Sequence, residues 1–184
     1  MRKYTALNKQ FFSKNEYAIV PIRHDDRYLI MKWRNEQIYH LRQSKLLTKK
    51  NQDTYFDTTI TPLFENTKPD QFLFSFLKNE HCIGYGGLVH INWLDKNAEI
   101  SFIMDTKLEP DYFEFNWEIF LALIEFLAFD ELKLHKIFTY AFDIRPQLYK
   151  VLEKCDYSRE AELVDHCLIE NRFKKVVIHS KFST

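Results

Sequence analysis

Short apolar runs recur along the chain, and most alternate with the two-residue period of a strand. Tyr17–Ile22 predicts the first of them. Asp25 or Asp26 can then cap a helix that carries Tyr28, Leu29, Met31 and Trp33. A second helix is predicted from near Thr48 onward, with Tyr55, Phe56 and Leu63 as its apolar positions, and Pro69 closes that region. Gln71–Leu77 alternates, turns at Lys78–Glu80, and leads into a strand over Cys82–Ile91. Asp95–Asn97 makes a further turn before a strand over Ala98–Met104. These three strands are expected to be antiparallel neighbours.

Asp111–Phe129 is apolar nearly all round, with Glu114, Glu118 and Glu125 on one face. So narrow a polar stripe predicts a helix buried against a sheet. Lys136–Phe142 follows as a strand, so the order strand, helix, strand makes Ala98–Met104 and Lys136–Phe142 parallel neighbours joined by a crossover. Pro146 suits the first turn of a helix running to Lys154. Glu160–Ile169 and Phe173–Lys181 close the chain as a hairpin around Glu170-Asn171. The expectation is one α/β domain over residues 1–184, with a polar lead-in over 1–16. Its sheet is mixed, mostly antiparallel and seven-stranded, and helices cover both faces.

Composition narrows the function. Lys plus Arg equals Asp plus Glu at 26 each, a poor balance for a nucleic-acid binder, which needs a positive field to meet phosphates. The cluster Lys45, Lys49 and Lys50 reads as a solvated helix end. Phe115–Phe129 is interrupted by Asn116, Glu118 and Glu125, so no membrane span is expected. Met1–Lys14 lacks the apolar stretch of a signal peptide. Three cysteines without paired spacing fit a reduced, cytoplasmic protein. The 27 Phe and Tyr residues, 17 and 10, leave room for an apolar homodimer surface.

All three glycines fall in Gly84-Tyr85-Gly86-Gly87, inside a strand. The chain therefore has no glycine for a P-loop or a dinucleotide fingerprint, both of which place glycines at a strand-to-helix turn. In a strand they signal a bulge or a close backbone contact. The seven histidines form no ligand spacing, and Asp165, His166 and Cys167 alternate across a strand, so no metal site is expected.

Several stretches, in this order, resemble the GNAT superfamily of acyl-CoA-dependent N-acetyltransferases. They are Val20-Pro-Ile-Arg23, Lys32-Trp-Arg-Asn35, Gln52 with Tyr55-Phe56, Ile83–Leu88, Ala98-Glu-Ile-Ser101 and Glu125–Ile137. The likeness is nearest to the branch of ribosomal-protein alanine and amino-sugar acetyltransferases. It implies a GNAT fold whose fourth and fifth strands are parallel and splay apart. It also implies acetyl-CoA as cosubstrate and, as acceptor, a small-molecule amine or a protein N-terminus.

The resemblance assigns roles to residues. Glu99 becomes the base, and Tyr149 the acid that protonates the leaving thiolate. A backbone N–H of Ile103 or Met104 would polarise the thioester carbonyl. The helix start over Tyr112, Phe113, Glu114, Phe115 and Asn116 would receive the pyrophosphate, with Arg145 in reach of a phosphate. Trp33, Arg34, Asn35 and Tyr85 would border the acceptor. The family's Q/R-x-x-G-x-G/A turn is replaced here by Leu108–Asn116, without glycine or base and with Glu109, Asp111 and Glu114. Those acids suit a helix N-terminus but repel phosphate. They raise the alternative of a GNAT-fold protein that has lost CoA binding and acts as a ligand-binding or protein-interaction module.

Overall fold

The computed structural model of the chain describes residues 2–41 and 43–183. Its strands are β1 (Phe12–Lys14), β2 (Tyr17–Pro21), β3 (Phe72–Lys78), β4 (His81–Asn92), β5 (Asn97–Met104), β6 (Lys136–Phe142), β7 (Ser158–Ile169) and β8 (Arg172–Phe182). They form one sheet in the order β1-β2-β3-β4-β5-β6-β8-β7, antiparallel except for the pair β5–β6. The helices are α1 (Arg27–Glu36), α2 (Lys49–Tyr55), α3 (Thr61–Leu63), α4 (Glu109–Glu125) and α5 (Pro146–Lys154). α4 makes the crossover between the two parallel strands.

The sheet has eight strands rather than seven, because the lead-in is structured. Phe12 is buried and meets Phe74 edge-on at 6.3 Å. The Tyr4 hydroxyl donates to Leu73 O at 2.8 Å and accepts from Leu73 N at 3.1 Å, while its ring stacks on Phe64 at 4.5 Å. Residues 4–14 thus cap the edge of the core. Asp26 also departs from expectation. It stands at the start of α1 without capping it, and turns inward to accept from Arg23 and from Ser75. Thr48 does cap α2, in a reciprocal box with Asn51.

Residues 72–77 of β3 are buried on both faces because helices lie on either side of the sheet. On the α4 side, Phe102 stacks on Phe120 at 3.9 Å. On the opposite side, Tyr85 reaches Arg34 of α1. Glycine is required between them. A Cβ on Gly86 would stand 2.2 Å from Ser101 O and 2.8 Å from Phe120 Cζ, and one on Gly87 would stand 1.8 Å from Phe72 O. The glycines mark close contact. The register shift against β5 comes later, between Val89 and Asn92, with His90 at φ 50°.

Candidate active site

The pairing of β5 with β6 stops after three residues, Asn97↔Lys136, Ala98↔Ile137 and Glu99↔Phe138. Beyond this point the strands diverge. A cleft of about 440 Å³ opens between residues 100–103 of β5 and 139–142 of β6. Asp105 N donates to Ile83 O at 2.8 Å, so by alternation Ile103 also points its backbone at β4. By the same alternation the N–H groups of Phe102 and Met104 turn away from β4; Phe102 lines the cleft, and Met104 does not. Of the two donors expected from sequence, Ile103 lines the cleft but turns its N–H to β4, and Met104 turns its N–H away from β4 without lining the cleft.

Gln37, fully buried at the end of α1, donates its amide to Met104 O at 2.8 Å and to Thr106 Oγ1 at 3.1 Å. Its Oε1 lies 3.1 Å from His40 Nε2, and the same ring nitrogen lies 2.9 Å from Arg145 Nη1. Arg145 in turn donates from Nη2 to Glu109 at 2.5 Å and lies over the Phe113 ring at 4.9 Å. Its buried Nε has no partner among the described residues. Burial, reinforced by the Arg145 charge, holds the His40 pKa down at about 3. The ring is neutral at physiological pH and leaves the guanidinium to Glu109.

The turn into α4 is closed upon itself. Lys107 N donates to Asp105 Oδ1, Leu108 N to Asp105 O and Glu109 N to Thr106 O. Three amides of this turn are thereby engaged, and Pro110 has none to offer. None of Tyr112, Phe113, Glu114, Phe115 and Asn116 lines the cleft. Tyr112 and Phe115 are half exposed, the latter against Tyr17. Glu114 pairs with Lys154, Phe113 supports Arg145, and the buried Asn116 amide reaches Met104 Sδ at 3.8 Å.

On the α1 side, Arg34 and Tyr85 line the cleft, joined by a 2.7 Å hydrogen bond from Arg34 Nη1 to the phenol. Asn35 lies one step behind. It clamps Leu47 through both backbone groups and accepts from Gln43, whose Oε1 accepts from Arg34 Nε at 3.1 Å. Trp33 is buried in the core, away from the cleft. Glu99 lines the cleft and lies 2.8 Å from His90 Nδ1. His90 itself lines the cleft, turned there by the bulge.

Tyr149 does not reach this opening. α5 begins at Pro146, and its phase turns Leu148 to the cleft and Tyr149 about 100° away. The Tyr149 hydroxyl donates to Asp143 at 3.0 Å and its ring stacks on the buried His179 at 5.2 Å. Burial and the Asp143 carboxylate both raise its pKa.

Residues 19–180 match a family model described as an acetyltransferase (GNAT) domain. The chain belongs to this family. It is therefore a transferase of the GNAT acetyltransferase type. No curated protein matches the sequence. Among solved structures, a spermidine N-acetyltransferase from Vibrio cholerae in complex with CoA and spermine is similar with a TM-score of 0.78. It is 17% identical, over 92% of this chain and 97% of that one. A dodecameric structure of spermidine N-acetyltransferase from the same organism, in an intermediate state, gives a TM-score of 0.75 at 17% identity over 92% and 95%. These likenesses are of fold.

The GNAT domain therefore carries its opening between β5 and β6, with Arg34, Tyr85, Glu99 and His90 on its walls and the Arg145–Glu109 pair at the α4 end. Gln37, His40 and His90 escaped the sequence reading. Their only sequence signal is that each is a polar residue within or beside an apolar element. No helix among the described residues is long and apolar enough to cross a membrane, and no group of three metal-ligating side chains converges there.

Proposed function

We propose that this chain transfers an acetyl group from acetyl-CoA to a primary amine bound beside Glu99 and His90. The observation that carries the proposal is the splay of β5 and β6, whose unpaired backbone edges suit an extended pantetheine arm lying as a surrogate strand. Bound there, acetyl-CoA supplies the thioester whose acetyl group moves to nitrogen.

The residues divide the work. Phe102 offers its N–H to the gap, where a preorganised donor stabilises charge developing on a carbonyl oxygen. Glu99 orients the His90 ring through Nδ1, and the pair takes the proton that the amine sheds. That proton balances the thiolate released as the C–S bond breaks. At the α4 end the turn amides are engaged and Glu109 is acidic, so the helix start does not fit a pyrophosphate. Arg145 does fit one, with a buried guanidinium suited to bidentate phosphate contact. Phosphate would then replace Glu109 as its partner. The altered turn, without glycine or base, thus relocates the phosphate contact from the helix amides to Arg145.

The direct test is release of free thiol from acetyl-CoA in the presence of a panel of primary amines. Amine-dependent thiol release supports the proposal. Its absence for every amine, with no acetyl-CoA binding, favours instead a ligand-binding module built on the same fold.

A further inference from the structure

We infer that the acceptor is an amine that also bears a carboxylate or phosphate, and that this anion docks on Arg34. The inference rests on the proposed acetyl transfer and adds the chemical class of the acceptor.

Arg34 is half buried, yet it has no carboxylate partner among the described residues. The other arginines drawn into the fold each have one. Arg23 meets Asp26, Arg27 meets Asp53 and Arg145 meets Glu109. Arg34 has only neutral partners, Gln43 at Nε and Tyr85 at Nη1, and its Nη2 has no acceptor among the described residues. A guanidinium carries five N–H donors, so most of its capacity faces the cleft unused. Its fork is held in place from behind by the Asn35–Gln43 relay, a cost in side-chain freedom already met before any ligand arrives.

The neighbouring groups are donors as well. The Tyr85 phenol accepts from Arg34, which leaves its own O–H to donate. The Tyr55 phenol lines the same cleft, and burial pushes its pKa up to about 12. Two phenols and a guanidinium thus converge, a donor set matched to carboxylate or phosphate oxygens.

Of the cleft's two carboxylates, Asp70 lies near the Tyr55 phenol and helps raise its pKa, whereas Glu99 lies further along the sheet. Tyr85 stands opposite Ile103, and Val89 opposite Glu99, four residues along the strand or about 13 Å. The paired Glu99 and His90 therefore define an amine end and Arg34 an anion end. Asp70 also lines the cleft, at an exposed position. A polycation would place positive charge against a partly desolvated Arg34, so the site disfavours a polyamine.

Two matched pairs of probes test this by calorimetry on the intact protein: 6-aminohexanoate against hexylamine, and glucosamine 6-phosphate against glucosamine. Spermidine is the polycation control. At least one anion-bearing probe should bind tenfold or more tightly than its parent amine lacking the anion, and the pair that responds tells carboxylate from phosphate. Arg34→Gln should erase that preference and leave acetyl-CoA affinity within threefold, while Arg34→Lys should keep part of it. Equal binding within both pairs, no binding of either anionic probe, or a preference for spermidine would overturn the inference. Loss of acetyl-CoA binding alone, with the anion preference intact, would instead count against the proposed transfer.

Discussion

Arg145 and Glu109 close the α4 end of the cleft with a 2.5 Å ion pair between residues 36 apart in sequence. The pair is largely buried, so breaking it by removing one partner matters more than a surface bridge would. Glu109→Gln should free Arg145 for phosphate and tighten acetyl-CoA binding about tenfold, or ~1.4 kcal/mol, most clearly at low salt. Arg145→Gln should weaken binding by a similar factor or more. Titration calorimetry of both variants at two salt concentrations checks the signs. Unchanged affinity in both would place the phosphate elsewhere.

His40 sets a pH dependence of stability. Its folded pKa of about 3 lies below the ordinary 6.5, with burial the larger cause and Arg145 the second. The unfolded chain thus takes up a proton below pH 6.5 that the folded chain refuses down to about pH 3. Stability is full above pH 6.5 and falls as pH drops through that window. Burial lowers the pKa of His179 too, so it acts in the same direction. Urea melts at pH 7.5 and pH 5 should show the loss, and His40→Gln should reduce it. A pH-independent midpoint would contradict the placement of these rings.

Gly86→Ala should destabilise the protein by at least ~2 kcal/mol. The new methyl group would meet Ser101 O, which the sheet cannot move, and the Phe120 ring under the Phe102 stack. A thermal melt within a degree of the parent would show that β4 and β5 lie further apart than described.

Catalysis supplies a separate check. Glu99→Gln and His90→Gln should each lower kcat about 100-fold and leave acetyl-CoA affinity nearly unchanged. The fall in kcat without a change in acetyl-CoA KM is a split that a purely structural role would not produce. A full-rate His90→Gln enzyme would leave Glu99 to act without it.

The sequence announced the strands whose apolar positions alternate, and the long α4 whose polar stripe is narrow. It did not announce β1, because Phe12 is a single buried residue between exposed neighbours and its partner strand lies beyond a turn. Arg34, Tyr85 and Glu99, which line the cleft, sit within regular elements in stretches resembling a known family, so their position was legible. His90 was hidden by a bulge, which breaks the alternation that would have turned it toward Glu99. The Arg145–Glu109 pair joins two helix starts that approach only once β6 and α5 are in place. Tyr149 was misplaced by one residue of helical phase, enough to exchange the cleft for Asp143 and His179.

The opening between residues 100–103 and 139–142 is the element on which the rest depends, and thermal melting with and without acetyl-CoA probes it most directly. At 100 times its dissociation constant, a ligand held only by the folded state adds ~2.7 kcal/mol. For a chain of this length that corresponds to a rise in Tm of about 5–10 °C. A rise of that size is the predicted result, and an unchanged Tm at millimolar acetyl-CoA would contradict the account.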